Sequence, residues 1–337
     1  MSRITFRQAI KDALVLEMHR DESVILIGED IAGGAGCDGE DDAWGGPLGV
    51  TKGIFSEFGA QRVLDTPISE AAFTGAAIGA AATGMRPVVD LMFNDFIAVC
   101  FDQVCNQAAK YRYLYGGQDS IPLVLRANTG AGIGTASQHS QSLHSVFSFF
   151  PGLKVVVPSS AYDAKGLLIT AIRDNDPVVF LEHKLLYDRV EEVPDESYLI
   201  PLGEANILNE GEDITVVALG QMVHVAMEAA ENLKGSGVNV EVIDPRTTSP
   251  LDEETIIESV EQTGRLVIVD ETTPRCNFAC DVSALVAQEA FGALKAPVRM
   301  VTAPHTPIPF ASNLERLYIP DSFRVETAIR ETVEYKR

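Results

Sequence analysis

The spacing of apolar residues changes from segment to segment along the chain and predicts alternating helices and strands. Residues 6–14 carry apolar side chains at the 3.6-residue spacing of one helix face. Thr5 and Gln8 form a T-x-x-Q capping box, which predicts where this helix begins. Residues 23–30, SVILIGED, form a short apolar run that ends in acids. Such a run predicts a buried strand.

The same alternation continues to residue 183. The predicted strands are 62–65, 86–92, 121–128, 153–158 and 177–183, and the main helices are 70–84, 95–115 and 161–175, with a short helix before 153. Apolar strands separated by helices are typical of a parallel sheet covered by helices.

Residues 184–212 are charged, rich in proline and irregular, which predicts a linker. A second series follows, with predicted strands 214–220, 238–244, 265–271 and 297–303, three helices between them and a last helix from residue 323. The sequence therefore predicts an α/β protein of two domains with mainly parallel sheets. The first domain covers residues 1–190, the linker 191–212 and the second domain 213–337.

Composition narrows the class of protein. The 337 residues are 46% hydrophobic, which is enough for two cores, and carry a formal net charge of −22. That charge argues against a nucleic-acid groove and against an anionic membrane surface. No apolar run is long enough to span a bilayer, and the first residues lack the apolar stretch of a signal peptide. Five irregularly spaced cysteines favour reduced, mostly buried thiols in a cytoplasmic protein.

Two glycine-rich segments invite specific interpretations. Residues 130–134, GAGIG, lack the G-x-G-x-x-G spacing of a dinucleotide fingerprint, so a flexible turn is favoured. Residues 31–53 predict a long surface loop of a length that is often functional. Its cluster DGEDD (38–42) lacks the EF-hand spacing, which favours a solvated loop over a cation site.

Three histidines are candidates for chemistry. His139 and His144 are five residues apart and do not share a helix face, so a zinc pair is disfavoured. His139 follows the glycine loop at the carboxyl end of a predicted strand, which is the side where open α/β sheets bind ligands. His305, in APHTPIPF, is a second candidate.

Glu70 has an unusual position, between a turn and the small-residue run 71–84. Ser69 is a plausible N-cap, which puts Glu70 in the first helical turn. One interpretation is a surface acid that stabilises the helix dipole. The other is a buried functional carboxylate, because a helix of alanine and glycine lets another group approach closely. The residues alone leave both open.

Six short motifs carry a family resemblance. They are DTPISE (65–70), the stretch from Phe96 to Lys110, QHSQS (138–142), PGLKVVVPS (151–159), DAKGLL (163–168) and NDPVVFLE (175–182). In this order they resemble the β subunit of the thiamine-diphosphate-dependent first component of 2-oxo acid dehydrogenase complexes. The loop at 40–53 and the segment APHTPIPF are most similar to the acetoin dehydrogenase branch.

The resemblance implies roles for four residues. Glu70 matches the acid that bonds to a ring nitrogen of the cofactor's aminopyrimidine and so activates the cofactor. Glu29 matches a second acid near the cofactor, and Phe96 an aromatic residue beside the aminopyrimidine. His139 matches a histidine that faces the thiazolium and the substrate and can shuttle protons. The small-residue helix would then be a close-packed seam between subunits.

The resemblance also implies ions and partners. Leu123, Ala171, Asp174 and Asp176 match a loop that holds a structural potassium ion, although Asp174 and Asp176 would serve equally as caps of a helix and a turn. The chain has CDG (37–39) but no G-D-G motif for Mg²⁺ and the diphosphate. That half of the site would come from an α subunit in an α2β2 heterotetramer.

The sequence thus predicts an enzyme subunit that cleaves acetoin oxidatively and passes the acetyl group to a lipoyl-bearing acyltransferase. The alternative within the class is a pyruvate or branched 2-oxo acid dehydrogenase β subunit. The alternative from another class is a non-catalytic dinucleotide-binding or scaffold subunit.

Overall fold

The computed structural model describes residues 1–32 and 45–336. They form two compact units, the first made of residues 1–129 and 147–202 and the second of residues 130–146 and 203–337. The acidic cluster 38–42, the CDG segment and Cys37 lie outside the described residues.

The strands are β1 (Ser2–Thr5), β2 (Val24–Glu29), β3 (Val63–Thr66), β4 (Arg86–Phe93), β5 (Val124–Thr129), β6 (Lys154–Val156), β7 (Val178–His183), β8 (Val190–Val193), β9 (Asn206–Asn209), β10 (Ile214–Ala218), β11 (Val240–Asp244), β12 (Thr247–Ser249), β13 (Leu266–Asp270) and β14 (Arg299–Thr302). The α-helices are α1 (Phe6–Arg20), α2 (Ile54–Phe58), α3 (Glu70–Ala82), α4 (Ile97–Asp102), α5 (Tyr111–Leu114), α6 (His144–Ser148), α7 (Ala161–Arg173), α8 (Gln221–Lys234), α9 (Glu253–Thr263), α10 (Phe278–Glu289), α11 (Ser312–Tyr318) and α12 (Ser322–Val333).

The first unit contains a sheet in which β6, β7, β5, β4, β2 and β3 lie side by side in that order and run parallel. Strands β1 and β8 form a separate antiparallel pair. Helices α1 and α7 pack on a core of fully buried aliphatic and aromatic side chains, among them Phe6, Leu14 and Leu167. A parallel sheet with both faces covered explains why its strands read as continuous apolar runs.

The second unit has a five-stranded sheet in the order β14, β13, β10, β11 and β9. All neighbours are parallel except β9, which runs antiparallel to β11 at the edge. Its core combines these strands with α8 and α12, as in the buried cluster of Val216, Leu233 and Ile329. The predicted fold class, two α/β domains with mainly parallel sheets, is confirmed.

Only one of the two hydrogen bonds of the predicted capping box forms. The Thr5 hydroxyl accepts a hydrogen bond from the Gln8 amide at 3.1 Å and starts α1 as predicted. The Gln8 side chain instead donates to Asp12 Oδ1 at 2.6 Å, one helical turn further on.

The prediction of one helix over residues 95–115 is wrong. A 3₁₀ turn covers Asn94–Phe96, then α4 follows, and Gln103–Ala108 is a π-helix. Cys100 has non-helical backbone angles, and the Ala109 amide bonds to the Val104 carbonyl one residue further back than in an α-helix. Apolar periodicity does not detect such a widened turn, and π turns are frequent at functional sites.

Two predicted irregular regions are more ordered than expected. In the described part of the 31–53 loop, Val50 and Thr51 are buried, and the Thr51 hydroxyl donates to the Ile31 carbonyl at 2.9 Å. Pro47 and Lys52 are exposed, so this part of the loop combines buried and exposed residues. Residues 191–212, expected to be a linker, contain most of β8 and all of β9.

The thiols divide into two kinds. Cys100 and Cys105 are buried, and burial raises the pKa of each to about 11. Cys276 is exposed and Cys280 half-buried, so the expectation of mostly buried thiols holds for only two of the four described. In the part of the chain that is described, no helix is both long and apolar enough to cross a membrane.

Candidate active site

The candidate site of the first unit lies at the carboxyl ends of its parallel strands. Strands β2 and β3 are in register so that Glu29 pairs with Thr66, the last residues of the two strands. A short turn then leads to Glu70, the first residue of α3. In open α/β sheets, ligands bind at this edge.

Glu70 is a buried carboxylate, with 7% of its surface exposed. Ser69 occupies the N-cap position, as predicted, but its hydroxyl donates to the Pro67 carbonyl at 2.9 Å and does not cap the helix. Among the described residues, the Glu70 carboxylate has no hydrogen-bond or salt-bridge partner. A largely buried acid without a partner can still take a hydrogen-bond donor from a ligand or another chain, and its burial disfavours the surface helix-dipole interpretation.

Glu29 belongs to the same group of acids. Burial raises the pKa of Glu29, and the nearby charges of Asp30, Glu70 and Asp65 raise it further. Burial also raises the pKa of Asp65, although this carboxylate accepts the Ile31 amide at 2.8 Å. The raised pKa values of Glu29 and Asp65 favour protonation of these two acids, which suits a ligand with basic nitrogens.

Phe96 is close to this group. Its ring is half-buried and meets the Phe93 ring edge-on at 5.8 Å. The Cys100 thiol donates to the Phe96 carbonyl at 3.5 Å, and the charge of Glu70 adds to burial in raising the pKa of the same thiol. The structure therefore brings Glu29, Glu70 and Phe96 into one neighbourhood of the first unit.

A buried ionic cluster lies behind these strand ends, and the sequence analysis missed it. Arg126 on β5 donates to both carboxylate oxygens of Glu182 on β7, at 2.8 and 2.6 Å, and also to Asp90 on β4. Burial opposes the charge of Arg126, but the two carboxylates hold its pKa above the usual value. Asp90 also accepts the Met92 amide at 3.0 Å, where the chain turns through a positive φ of 63°.

The available signal for this cluster was a charged residue inside each of three apolar strand runs, PVVDLM, VLRAN and VVFLE. Charged side chains are almost never fully buried unless they are paired. The cluster fixes the turn at Met92, which leads directly to the 3₁₀ segment that carries Phe96.

His139 belongs to the second unit, in the segment that follows β5. It is half-buried, and its carbonyl accepts the Thr135 hydroxyl at 3.0 Å. The glycine loop before it is held by carboxylates: Glu271 accepts the Ala131 amide at 2.6 Å, and Glu315 accepts the Gly132 amide at 2.8 Å. These amides do not cradle a phosphate, which agrees with the preference for a turn over a dinucleotide fingerprint.

The other two histidines differ in environment. His144 is buried, with Nε2 3.2 Å from a carboxylate oxygen of Asp270. Burial would raise the pKa of Asp270, but the charge of His144 and hydrogen bonds from His144 and Thr272 bring it below its usual value. His305 is exposed.

The predicted potassium residues lie between α7 and the sheet of the first unit. Asp174 accepts Lys154 Nζ at 2.6 Å, and Asp176 is 3.6 Å from the same ammonium and pairs with Arg112. Asp174 is the C-cap of α7 and accepts the Asp176 amide at 2.9 Å. Both carboxylates are thus balanced by cations of the chain, which is the arrangement of the capping alternative.

The two carbonyls of the set are also engaged. The Leu123 carbonyl accepts the Val178 amide at 2.9 Å, and the Ala171 carbonyl accepts the Asp174 amide at 3.3 Å. Each carbonyl keeps a second lone pair, so the potassium site stays a prediction. Within residues 1–32 and 45–336, no cluster of three or more His, Cys, Asp or Glu side chains is arranged to hold a metal ion.

The class of protein follows from the domain matches. Residues 2–189 match the transketolase pyrimidine binding domain and residues 203–325 the transketolase C-terminal domain, so the chain belongs to the transketolase family. A "split gene transketolase, inactive beta4 tetramer" superposes with a TM-score of 0.78 at 23% identity and full coverage of both chains. Transketolase from Leishmania mexicana gives 0.69 at 18% identity over 99% of this chain and 46% of that one. At these identities the structures establish the fold alone.

Sequence relatives are more specific. The chain is 59% identical to the acetoin:2,6-dichlorophenolindophenol oxidoreductase subunit beta of Cupriavidus necator, over 98% of both chains. It is 54% identical to the protein of the same name from Bacillus subtilis, over 97% of this chain and 96% of that one. The pyruvate dehydrogenase E1 component subunit beta of Rickettsia bellii is 42% identical, over 99% of this chain and 100% of that one. The resemblance to this group of β subunits, first drawn from six motifs, is confirmed.

Proposed function

We propose that the chain is the β subunit of a thiamine-diphosphate-dependent oxidoreductase that cleaves acetoin and passes the acetyl group to a lipoyl carrier. The identity to acetoin:2,6-dichlorophenolindophenol oxidoreductase β subunits, 59% and 54%, exceeds the 42% to a pyruvate dehydrogenase β subunit. Pyruvate is therefore the less favoured substrate.

The observation that carries the proposal is the buried, unpaired carboxylate of Glu70 in a pyrimidine-binding domain. An aminopyrimidine has ring nitrogens and an exocyclic amine that pair with a carboxylate. The neighbouring acids and Cys100 offer no cation to neutralise Glu70, so a nitrogen ligand would complete its hydrogen bonding.

Thiamine diphosphate, when bound, supplies a carbon nucleophile for the ketone of acetoin and accepts the electron pair released as the carbon–carbon bond breaks. Glu70 would hold a proton at a ring nitrogen of the aminopyrimidine, with Glu29 beside it. Phe96 would present its half-buried ring to the same heterocycle. His139 would accept the hydroxyl proton of acetoin as acetaldehyde leaves. The remaining two-carbon fragment, at the oxidation level of an aldehyde, would be oxidised to an acetyl group by a lipoyl disulfide, whose two sulfurs would take up the two electrons and become one acetyl thioester and one thiol.

The proposal includes partners and ions. An α subunit would hold Mg²⁺ and the diphosphate in an α2β2 heterotetramer, and a lipoyl-bearing acyltransferase would receive the acetyl group. The Leu123 and Ala171 carbonyls, with Asp174 and Asp176, would hold a potassium ion if one binds. We place the assembled enzyme in the cytoplasm.

The test is reconstitution with an α subunit encoded with this chain, followed by turnover with a dye as electron acceptor. We expect acetoin to give a higher kcat/KM than pyruvate or a branched 2-oxo acid. A preference for pyruvate would move the chain to the pyruvate dehydrogenase branch. A complex that binds a dinucleotide and turns over neither substrate would support the scaffold alternative.

A further inference from the structure

The second unit contains a cavity of about 580 Å³ that the proposed chemistry does not use. Its walls come from residues 137–146, from the turn before α10, from residues 305–308 and from α11. Glu29, Glu70, Phe96 and His139 are not among its lining residues. The volume is in the range of pockets that hold small organic ligands, roughly 300–1,000 Å³.

The charge of the lining is unusual for this protein. The chain has 48 acidic and 26 basic residues, yet none of the sixteen lining residues is Asp or Glu. Two of them, Arg275 and His305, have side chains with basic nitrogens. The Arg275 guanidinium is exposed and has no carboxylate partner among the described residues.

The acidic side chains near the cavity wall already have hydrogen-bond or ionic partners outside the lining. Asp270 lies against His144, Glu271 accepts the Ala131 amide, and Glu315 accepts the Gly132 and Gly134 amides. Burial, with the charges of Glu271 and Asp270, raises the pKa of Tyr318 to about 12. The Tyr318 phenol, which belongs to the lining, therefore stays protonated at neutral pH and adds no negative charge to the cavity.

The turn before α10 fixes the cationic wall. The Arg275 amide donates to the Thr273 carbonyl at 2.9 Å, and the Asn277 side chain donates to the same carbonyl at 2.8 Å. Cys276 is held at a positive φ of 51° between them. On the opposite segment, Ser137 and Ser142 line the cavity and add hydroxyl-bearing residues to its wall.

We propose that this cavity binds a small organic phosphate with an apolar or aromatic body. A phosphate offers three oxygens to the planar guanidinium of Arg275 and to surrounding hydroxyls, and Arg is suited to that geometry. The remaining wall includes Leu143, Val146 and Ile308, which would contact the apolar body. Inorganic phosphate would leave this part of the cavity unused.

Cys276 lines the cavity and is an exposed thiol, so it reports occupancy at a known position. The test measures the rate of Cys276 alkylation by iodoacetamide, by peptide mass spectrometry, with phenyl phosphate as the probe. Cys280, half-buried in the first turn of α10 and outside the lining, is the internal control. Both the free chain and the chain assembled with its α subunit are measured.

We expect phenyl phosphate to slow Cys276 alkylation saturably in both forms and to leave Cys280 unchanged. Arg275→Gln should raise the half-protecting concentration about 10-fold or more, because it removes a charged hydrogen bond. Arg299→Gln, an exposed arginine of the same unit outside the lining, should leave it unchanged.

Four outcomes would overturn the proposal. One is the lack of saturable protection up to roughly 10 mM probe, the weak end of ligand binding. Another is protection that survives Arg275→Gln. A third is equal protection by benzoate, which would show that the phosphate group is not required, or by inorganic phosphate, which would show that the apolar body is not required. The last is loss of Cys276 alkylation on assembly alone, which would mean that the partner chain covers the cavity. None of these outcomes bears on acetoin turnover.

Discussion

Glu70 is the residue on which the proposed function depends most. Glu70→Gln keeps the size of the side chain and removes the charge that would tautomerise the aminopyrimidine. Turnover of the assembled enzyme should fall on the order of 10²–10⁴-fold, the usual range for an acid–base group. Thermal melts and size-exclusion should show a folded chain that still assembles.

Glu253→Gln is the matched control, because Glu253 is also the first residue of a helix, but an exposed one. If both variants keep activity within a few-fold of the parent, Glu70 is a helix-capping acid and the site lies elsewhere.

His139 allows a second test at the same scale. His139→Asn keeps hydrogen-bonding capacity and removes the titratable group. We expect cofactor affinity of the assembled enzyme to change little and turnover to fall on the order of 10²-fold. The acidic limb of the pH–rate profile should move or vanish. His19→Asn, at an exposed histidine bonded to Glu57, is the control. An unchanged pH–rate profile in His139→Asn would mean that His305 or a group of the α chain handles the proton instead.

The raised pKa of Glu29 predicts that the stability of the folded chain depends on pH. The pKa of Glu29 is raised in the folded chain by burial and by neighbouring acids, from a reference value of 4.5. The folded state therefore binds this proton more tightly than the unfolded state, and stability declines as pH rises from the unfolded pKa through the folded one. Glu29→Gln removes that decline.

Urea unfolding of the parent and of Glu29→Gln, from about pH 4 to pH 8, measures the effect. The variant should gain stability relative to the parent as pH rises, with the gain smallest at the acid end. Glu22→Gln, at an exposed acid on the preceding turn, should track the parent. A difference between Glu29→Gln and the parent that does not vary with pH would mean that the pKa of Glu29 is not raised.

At the scale of elements, α3 exposes a bare surface of small residues, including Ala72, Ala76 and Gly79. A Cβ at Gly79 would meet nothing within 4 Å, whereas one at Gly75 would lie 3.0 Å from the Gln103 side chain. A four-residue spacing places two residues on one helix face, but only the Gly79 end of this face is open, because Gly75 packs against Gln103 of the same chain. Gly79 alone remains the candidate for close contact with another chain.

Gly79→Leu should have opposite effects on the stability of the isolated chain and on that of the assembled enzyme. In the isolated chain the leucine has room and improves helix propensity, so stability should hold or rise by several tenths of a kcal/mol. In the assembled enzyme it should overpack the seam and cost roughly 1–3 kcal/mol. Thermal melts of both forms give the comparison. Gly235→Leu, at the open C-cap of α8, is the control. Equal melts for parent and variant in the assembly would place the seam elsewhere.

Sequence patterns predicted those helices and strands whose formation depends on one local feature, such as a continuous run of apolar residues. Strands β2, β4, β5 and β7 were found because buried parallel strands are continuous apolar runs. The π turn at Gln103–Ala108 was not found, because apolar spacing does not detect a widened helical turn. The strands within the 191–212 segment were not found either, because they depend on pairing with distant residues. For the site, motifs identified Glu70 and Phe96, but only the structure shows that Glu70 is buried without a partner and that Arg126 joins Asp90 and Glu182.

At the scale of the whole molecule, the chain has half of the proposed cofactor site. It carries a pyrimidine-binding domain and a C-terminal domain, and its sequence has no G-D-G motif for a metal diphosphate. Its net charge of −22 also opposes binding of a diphosphate without a metal. Both features predict that affinity for the cofactor appears only on assembly.

Calorimetry on the purified chain should therefore show no thiamine diphosphate binding tighter than roughly 1 mM, which corresponds to about 4 kcal/mol. The chain assembled with its α subunit, with Mg²⁺ present, should bind at micromolar concentrations. Glu70→Gln should weaken binding in the assembled form without abolishing it, because the diphosphate contacts come from the other chain. Micromolar binding by the isolated chain would contradict the shared site, since one chain would then supply both the pyrimidine contacts and the diphosphate contacts.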